Sequence, residues 1–250
     1  MIYKDMEIGD IHIEWERKAV RHIYLSVHAP DGRVHVSAPL FMPQSEIEAF
    51  VLRKWTWIQR QRAKIMALPK PIERHYVQCE SCYLFGQRLT LEIVPIETGK
   101  TGITCEDGKI ILTIKPDTNE TQRGKMIDNY LRERLREYLT ESMAHWQHVM
   151  GEENVTWSIR RMRSEWGSCT PRKRKLLFNT ELVHVPKPCI DYIVVHELSH
   201  LRVPNHSDLF YARMEQFLPH WQTCRQRLKA ASNNYRFDLS EPKTPIANPC

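Results

Sequence analysis

Residues 196–206 read His196-Glu197-Leu198-Ser199-His200-Leu201-Arg202-Val203-Pro204-Asn205-His206, an H-E-x-x-H followed by a third histidine. On an α-helix, two histidines four residues apart lie about one turn apart on the same face, so both imidazoles can reach one ion. The glutamate beside the first histidine can hold a water on that ion and take its proton. The third histidine comes six residues after the second, too far along to continue the stripe. The chain must turn back to deliver it, and Pro204-Asn205 is a plausible turn. Three protein ligands with a fourth position open is the arrangement of a catalytic zinc site, whereas structural sites are closed by four. The pattern predicts a metal-dependent hydrolase.

A bare H-E-x-x-H also arises by chance, so its surroundings matter. Residues 189–195, Cys-Ile-Asp-Tyr-Ile-Val-Val, are apolar enough for a buried helix, entered through Pro186 and Pro188. Stranding His196, Glu197 and His200 on such a helix without an ion would cost on the order of several kcal/mol.

The 250-residue chain suits one large or two small domains, and 42% hydrophobic with 26% charged residues is ordinary for a globular protein. No apolar run approaches the ~20 residues of a membrane span. The N-terminus carries Lys4, Asp5 and Glu7 where a signal peptide would be apolar. Seven cysteines scattered through the chain fit reduced thiols. A cytoplasmic protein without membrane contact is expected. The formal net charge is +6, and its distribution is uneven. Arg160, Arg161, Arg163, Arg172, Lys173, Arg174 and Lys175 face a single acid, Glu165, within residues 160–175. Arg53, Lys54, Arg60, Arg62 and Lys64 form a second cluster near Trp55 and Trp57. Such patches either attract phosphate or nucleic acid, or are solvated turns and helix faces.

The first forty residues alternate like paired strands, with Ile11, Ile13 and Trp15 in one phase and Ile23, Leu25 and Val27 in another. Asp31-Gly32 before Val34 and Val36 reads as a hairpin. A helix is expected around 44–66 from Ile47, Phe50, Val51, Trp55 and Ile58, with Pro69 and Pro71 ending that unit. Strands follow around 89–94 and 110–114, joined through Gly102 and Asp107-Gly108. Cys79 and Cys82 have C-x-x-C spacing, but no second pair accompanies them. Ile127, Leu131, Leu135, Leu139, Met143, Trp146 and Met150 predict a long helix from about 122 to 150. A strand at Val155, Trp157 and Ile159 and a partner over 176–183 flank Trp166-Gly167-Ser168-Cys169, and Phe210, Met214, Phe217 and Leu218 form a further stripe. The expected organisation is a β-rich region with a helix over 1–118, a metal-binding domain over 119–235 and a loose tail over 236–250.

Arg163-Ser164-Glu165-Trp166-Gly167-Ser168-Cys169, Asn179-x-x-Leu182, the helix ending in His196-Glu197-Leu198-Ser199-His200, and Asn205-His206-Ser207-x-x-Phe210 occur in this order. Together they resemble the YgjP-like metallopeptidase family, distantly related to SprT-like proteins and other zincins. The strong motifs span about residues 155–230, and the N-terminal strands and helix look like those of the longer members. The resemblance implies an α+β fold with a zincin-like C-terminal core: an active-site helix, a backing helix over 122–150 and a sheet whose edge borders the cleft. It implies one zinc ion held by His196, His200 and His206, with Glu197 as general base. The ligand spacing equals that of metzincins, but Val203 stands where those have glycine, and no convincing Met-turn follows.

Arg163 and Arg161 by charge, and Tyr211 by its place near the third ligand, are candidates for the donor that holds the oxygen gaining negative charge at the attacked centre; Arg163, Tyr211 and Trp166 are the candidates for substrate contact, with Trp166 reading as a cleft-wall packing residue. A peptide or protein substrate is the first expectation. A nucleotide cleaved by metal-dependent phosphohydrolysis is the second. A nucleic-acid-associated protein with a non-catalytic zinc site is the third.

Overall fold

Alternation in the first forty positions becomes a four-stranded sheet. The computed structural model describes residues 4–28, 31–67, 74–162 and 165–235. Strands β1 (Lys4–Ile8), β2 (Ile11–Lys18), β3 (Tyr24–His28) and β4 (Arg33–Pro39) lie in the order β1-β2-β4-β3. The central β2–β4 pair is parallel and the outer pairs are antiparallel. Side chains two apart share a face, so Ile11, Ile13 and Trp15 meet Val34, Val36 and Ala38 in one core, capped by Ile47, Val51 and Ile58. The helix expected over 44–66 is two: α1 (Gln44–Arg53) and α2 (Trp55–Met66). They are separated at Lys54, whose φ of −100° and ψ of 8° leave the helical region. The buried residues Ile47, Val51 and Ile58 fall on both sides of this break, so periodicity alone runs the two helices together. Pro69 and Pro71 lie outside the described residues, as does the tail expected over 236–250.

Contacts divide the chain into two compact units between Pro71 and Ile72. The second unit opens with β5 (Ser81–Leu84), β6 (Gln87–Pro95), β7 (Gly102–Glu106) and β8 (Lys109–Ile114), in the order β5-β6-β8-β7. Its pairing is again antiparallel, parallel, antiparallel. The two sheets therefore share one topology. Each begins with a hairpin turning at a glycine of positive φ, Gly9 or Gly86, and each ends with one at an Asp-Gly, 31–32 or 107–108.

The expected boundary after residue 118 does not coincide with this division, and three contacts show why. The Phe85 amide donates to the Val183 carbonyl at 2.7 Å, and His184 Nδ1 donates to the Tyr83 carbonyl at 2.7 Å. At Gly86, a Cβ would lie 2.7 Å from Pro186 Cγ. The β5–β6 hairpin is thus packed on the segment that leads into the H-E-x-x-H helix.

The long helix α3 (Glu120–Met150) starts at a capping box between Asn119 and Gln122 and stops at Gly151 in the left-handed conformation. Its buried stripe is Ile127, Leu131, Leu135, Leu139, Met143 and Met150. A three-stranded sheet follows, from β9 (Thr156–Arg160), β10 (Gly167–Thr170) and β11 (Lys175–Asn179), with β11 between the other two. Trp166-Gly167-Ser168-Cys169 therefore enters a strand of its own. After a 3-10 turn over Thr180–His184 come α4 (Lys187–Ser199), α5 (Asp208–Phe217) and α6 (Trp221–Tyr235). No helix among the described residues is long and apolar enough to cross a membrane, and their six cysteines are free.

Just past the end of α3, Glu152 is 0% exposed. Its carboxylate accepts from Arg174 Nη2 at 2.8 Å, Arg202 Nε at 2.7 Å and Arg213 Nη2 at 3.1 Å. One buried anion thereby joins the β10–β11 turn, the exit from α4 and helix α5. Burial would raise the Glu152 pKa, but hydrogen bonds and charges from Arg202 and Arg174 outweigh it and hold the value below the usual 4.5. This stabilisation is complete above about pH 4.5 and fades as the pH falls through the lowered folded-state value. Glu152→Gln should cost about 1–3 kcal/mol in urea unfolding near pH 7. The deficit against wild type should shrink below about pH 4.5, where the wild-type carboxylate protonates; a pH-independent deficit would contradict the carboxylate's role.

Candidate metal centre

Helix α4 is buried almost all round: Cys189, Ile190, Tyr192, Ile193, Val194, Val195, Glu197, Leu198 and Ser199 are all inside. A helix apolar on every side belongs at the centre of its unit, and α4 packs against α3, α5, α6 and β10. Asp191, its polar residue near the start, accepts from Ser142 Oγ at 2.6 Å and Tyr138 Oη at 2.9 Å. These bonds fix the helix to α3.

His200 caps the end of α4. The chain then tightens, with the Leu201 and Arg202 amides bonding to carbonyls three residues back and Val203 to Ser199. Residues 204 and 205 follow, and His206 comes two residues before α5. The expected turn-back is there: His196 Nε2 lies 3.2 Å from His200 Nε2 and 3.1 Å from His206 Nε2. Tetrahedral ligands at about 2.0–2.1 Å from zinc sit roughly 3.3 Å apart; the two distances from His196 match that spacing, and all three ligand atoms lie within 4.8 Å of one another. This is the cluster of metal-ligating groups found among the described residues. Cys79 and Cys82 are not part of it.

Two features set the imidazoles for ligation. His200 Nδ1 lies 3.1 Å from the Val203 carbonyl; a carbonyl only accepts, so the proton sits on Nδ1 and the Nε2 lone pair is left for an ion. Burial lowers the pKa of all three histidines. Their mutual repulsion lowers His196 and His200 further, and the charge of Arg225 lowers His196 and His206. Neutral imidazoles are the form that binds metal. Phe210, fully buried, forms a common floor with its ring centroid 4.6 Å from His200, 4.8 Å from His206 and 4.9 Å from His196. The donor set, its spacing and its protonation state fit a zinc ion with an open fourth position.

Glu197 is 5% exposed. Burial, with a smaller push from the Glu165 charge, raises its pKa to about 8. Gly167 of β10 lies against it: a Cβ there would stand 2.7 Å from Glu197 Oε1 and 2.8 Å from its Cγ. Glycine in Trp166-Gly167-Ser168-Cys169 is thus required by space for the glutamate. Cys169, two residues on, is pushed up to about 12 by burial and the Glu197 charge.

Fully buried Asn179 supports the same edge. Its Nδ2 donates to the Met162 and Glu165 carbonyls at 3.0 and 2.7 Å, its Oδ1 accepts from the Glu181 amide at 3.2 Å, and its own amide donates to Trp166 O at 2.9 Å. It ties down the loop entering β10.

Of the residues proposed as oxyanion donor or for substrate contact, Tyr211 stacks on His206 with centroids 6.4 Å apart. Trp166 is 2% exposed and buried in the packing. Arg161 is exposed and reaches Glu181 at 3.9 Å. Arg163 lies outside the described residues. Arg174 of the basic stretch is committed to Glu152. Helix α6, which brings Trp221 against Tyr211 and Tyr192, has no clear sequence signature, because polar residues interrupt its apolar positions too often for a stripe.

A sequence profile of the YgjP-like metallopeptidase domain matches residues 21–231. Among solved structures, that of the metallopeptidase zymogen of Pyrococcus abyssi abylysin is similar over 40% of this chain and 97% of its own, at 16% identity and a TM-score of 0.36. No curated protein matches the chain.

Gly167→Ala should force Glu197 out of place and cost about 1–3 kcal/mol, read by thermal unfolding and by the position of the Glu197 side chain in a crystal structure. Gly102→Ala, where a Cβ meets nothing within 4 Å, is the control and should be tolerated.

Proposed function

The chain belongs to the YgjP-like metallopeptidase family, and from that membership we propose that it is a zinc-dependent peptidase with a zincin-like core and Glu197 as general base. The observation that carries the reading is the convergence of three imidazoles, His196 Nε2 lying 3.1–3.2 Å from the other two, on a helix that also buries the next residue, Glu197. His196, His200 and His206 would hold the ion. Zinc there would supply Lewis acidity, polarising the scissile carbonyl and acidifying water.

The remaining work falls to the chain. Glu197 follows the first ligand on the same helix; burial makes its carboxylate more basic than an ordinary one, and a bound cation would favour the ionised form that takes the attacking water's proton. The same oxygen then returns that proton to the leaving amine. Gly167 keeps the space beside Glu197 clear, and the Asn179 contacts hold β10 in place as it does so. Phe210 restricts the ligand rings to one arrangement, so little reorganisation is left for the reaction. Tyr211, whose ring stacks on His206, would contact substrate.

The test is a paired screen of zinc-loaded protein against unstructured proteins and peptide libraries in one arm and nucleoside triphosphates in the other. Cleavage is expected in the first arm. Glu197→Gln should lower it by about 10²–10⁴-fold while metal analysis still finds zinc bound, and His206→Ala should lose the zinc. Turnover confined to the nucleotide arm would sink the peptidase reading. Full activity in Glu197→Gln would remove Glu197 as the base.

A further inference from the structure

Helices α4 and α6 pack on one another, and their contact runs in layers. In one layer Trp221 stacks on Tyr192, with centroids 6.3 Å apart and 9° between the ring planes. One turn away stand two cysteines: Cys189, three residues before Tyr192, and Cys224, three after Trp221. Cys224 Sγ donates to the Pro188 carbonyl at 3.4 Å, and that carbonyl belongs to the peptide group Cys189 shares. Burial, then the charge of Cys224 and a hydrogen bond to it, push the Cys189 thiol up to about 12. Both residues are free thiols, but they are unequally placed: Cys189 is 0% exposed and Cys224 is half-buried. The chain between them carries His196, His200 and His206.

We propose that Cys189 and Cys224 are a redox pair, which hydrogen peroxide converts into a disulfide stapling α6 to the start of the H-E-x-x-H helix. Cys224, the sulfur that solvent reaches, attacks the peroxide first. The O–O bond breaks, one oxygen stays on Cys224 as a sulfenic acid, and the other leaves as water. The Cys189 sulfur then bonds to the Cys224 sulfur. The S–O bond breaks, and the hydroxyl departs with the Cys189 proton as a second water. Two electrons pass from the two thiols to one peroxide. Cys189 is mostly protonated at neutral pH, so the second step depends on the sulfurs being held together more than on thiolate supply. The bridge closes a loop around all three histidines, which removes freedom from the unfolded chain and favours the packed α4–α6 pair.

The experiment treats the full chain with hydrogen peroxide, blocks the remaining thiols by alkylation and maps the peptides by mass spectrometry. The expected product is a peptide pair linked through Cys189 and Cys224, about 2 Da lighter than its two reduced halves and separated again by dithiothreitol. The urea midpoint should rise by about 1 M on oxidation, and Cys224→Ser should show no such rise. In Cys189→Ala, Cys224 loses its resolving thiol and should accumulate as a sulfenic acid that dimedone traps. In Cys224→Ser, Cys189 should stay unmodified, since solvent does not reach it. No linkage between the two, linkage of Cys224 to Cys79 or Cys82 instead, or oxidation of Cys189 in Cys224→Ser overturns the proposal. An unmoved urea midpoint in fully linked protein overturns the staple.

Discussion

Polar groups at the end of a helix that is buried on nearly every side are the constraint from which this architecture follows. Helix α4 has no solvent-facing stripe for Asp191, Glu197, Ser199 or its histidines. Each must find its partner inside the protein, because an unpaired buried polar group costs about as much as any single favourable contact returns. Asp191 turns to α3, Ser199 back-bonds to the Val195 carbonyl at 2.7 Å, and His200 uses the Val203 carbonyl of its own exit turn. What is left over is three imidazole nitrogens gathered in a single place and a carboxyl buried on the same helix. Metal chemistry is the natural resolution of that surplus.

Such a site works only if its parts cannot drift, and the parts come from distant positions. Glu152 secures the exit of α4 through Arg202 and the following helix through Arg213, on either side of the third ligand in sequence. From the opposite side, Arg174 holds the β10–β11 turn to the same carboxylate, its φ of 44° kept in place by bonds to Glu152 and to the Glu153 carbonyl. Asn179 closes the loop entering β10, and β10 presents Gly167 to Glu197. The supports are mostly charged or polar groups taken out of water, where a fully satisfied network rigidifies its surroundings.

The histidine cluster was legible because four-residue spacing on a helix is a local geometric fact. The motifs that made the family recognisable mean something different in space: Gly167 lies against Glu197, and Asn179 bonds to the chain that enters β10. Other features were hidden for physical reasons. The break at Lys54 lies within a continuous apolar pattern. The shared topology of the two four-stranded sheets rests on turn positions and strand order more than on like side chains. The unit boundary depends on where the β5–β6 hairpin lands, on Val183, His184 and Pro186, about a hundred residues away.

By itself, the sequence determined the chemistry at the centre: which residues could bind a metal, which could move a proton, and that the helix bearing them had to be buried. Periodicity and spacing act within a few turns of chain, and these properties live on that scale. Tertiary structure alone decided the partners of those groups. It tied a triply paired carboxylate to the segments that flank His206 in sequence, set a glycine against the glutamate, and stacked an aromatic wall beside the histidines. Those contacts join residues far apart in sequence, and they are fixed by how buried surfaces fit together, which no local pattern encodes.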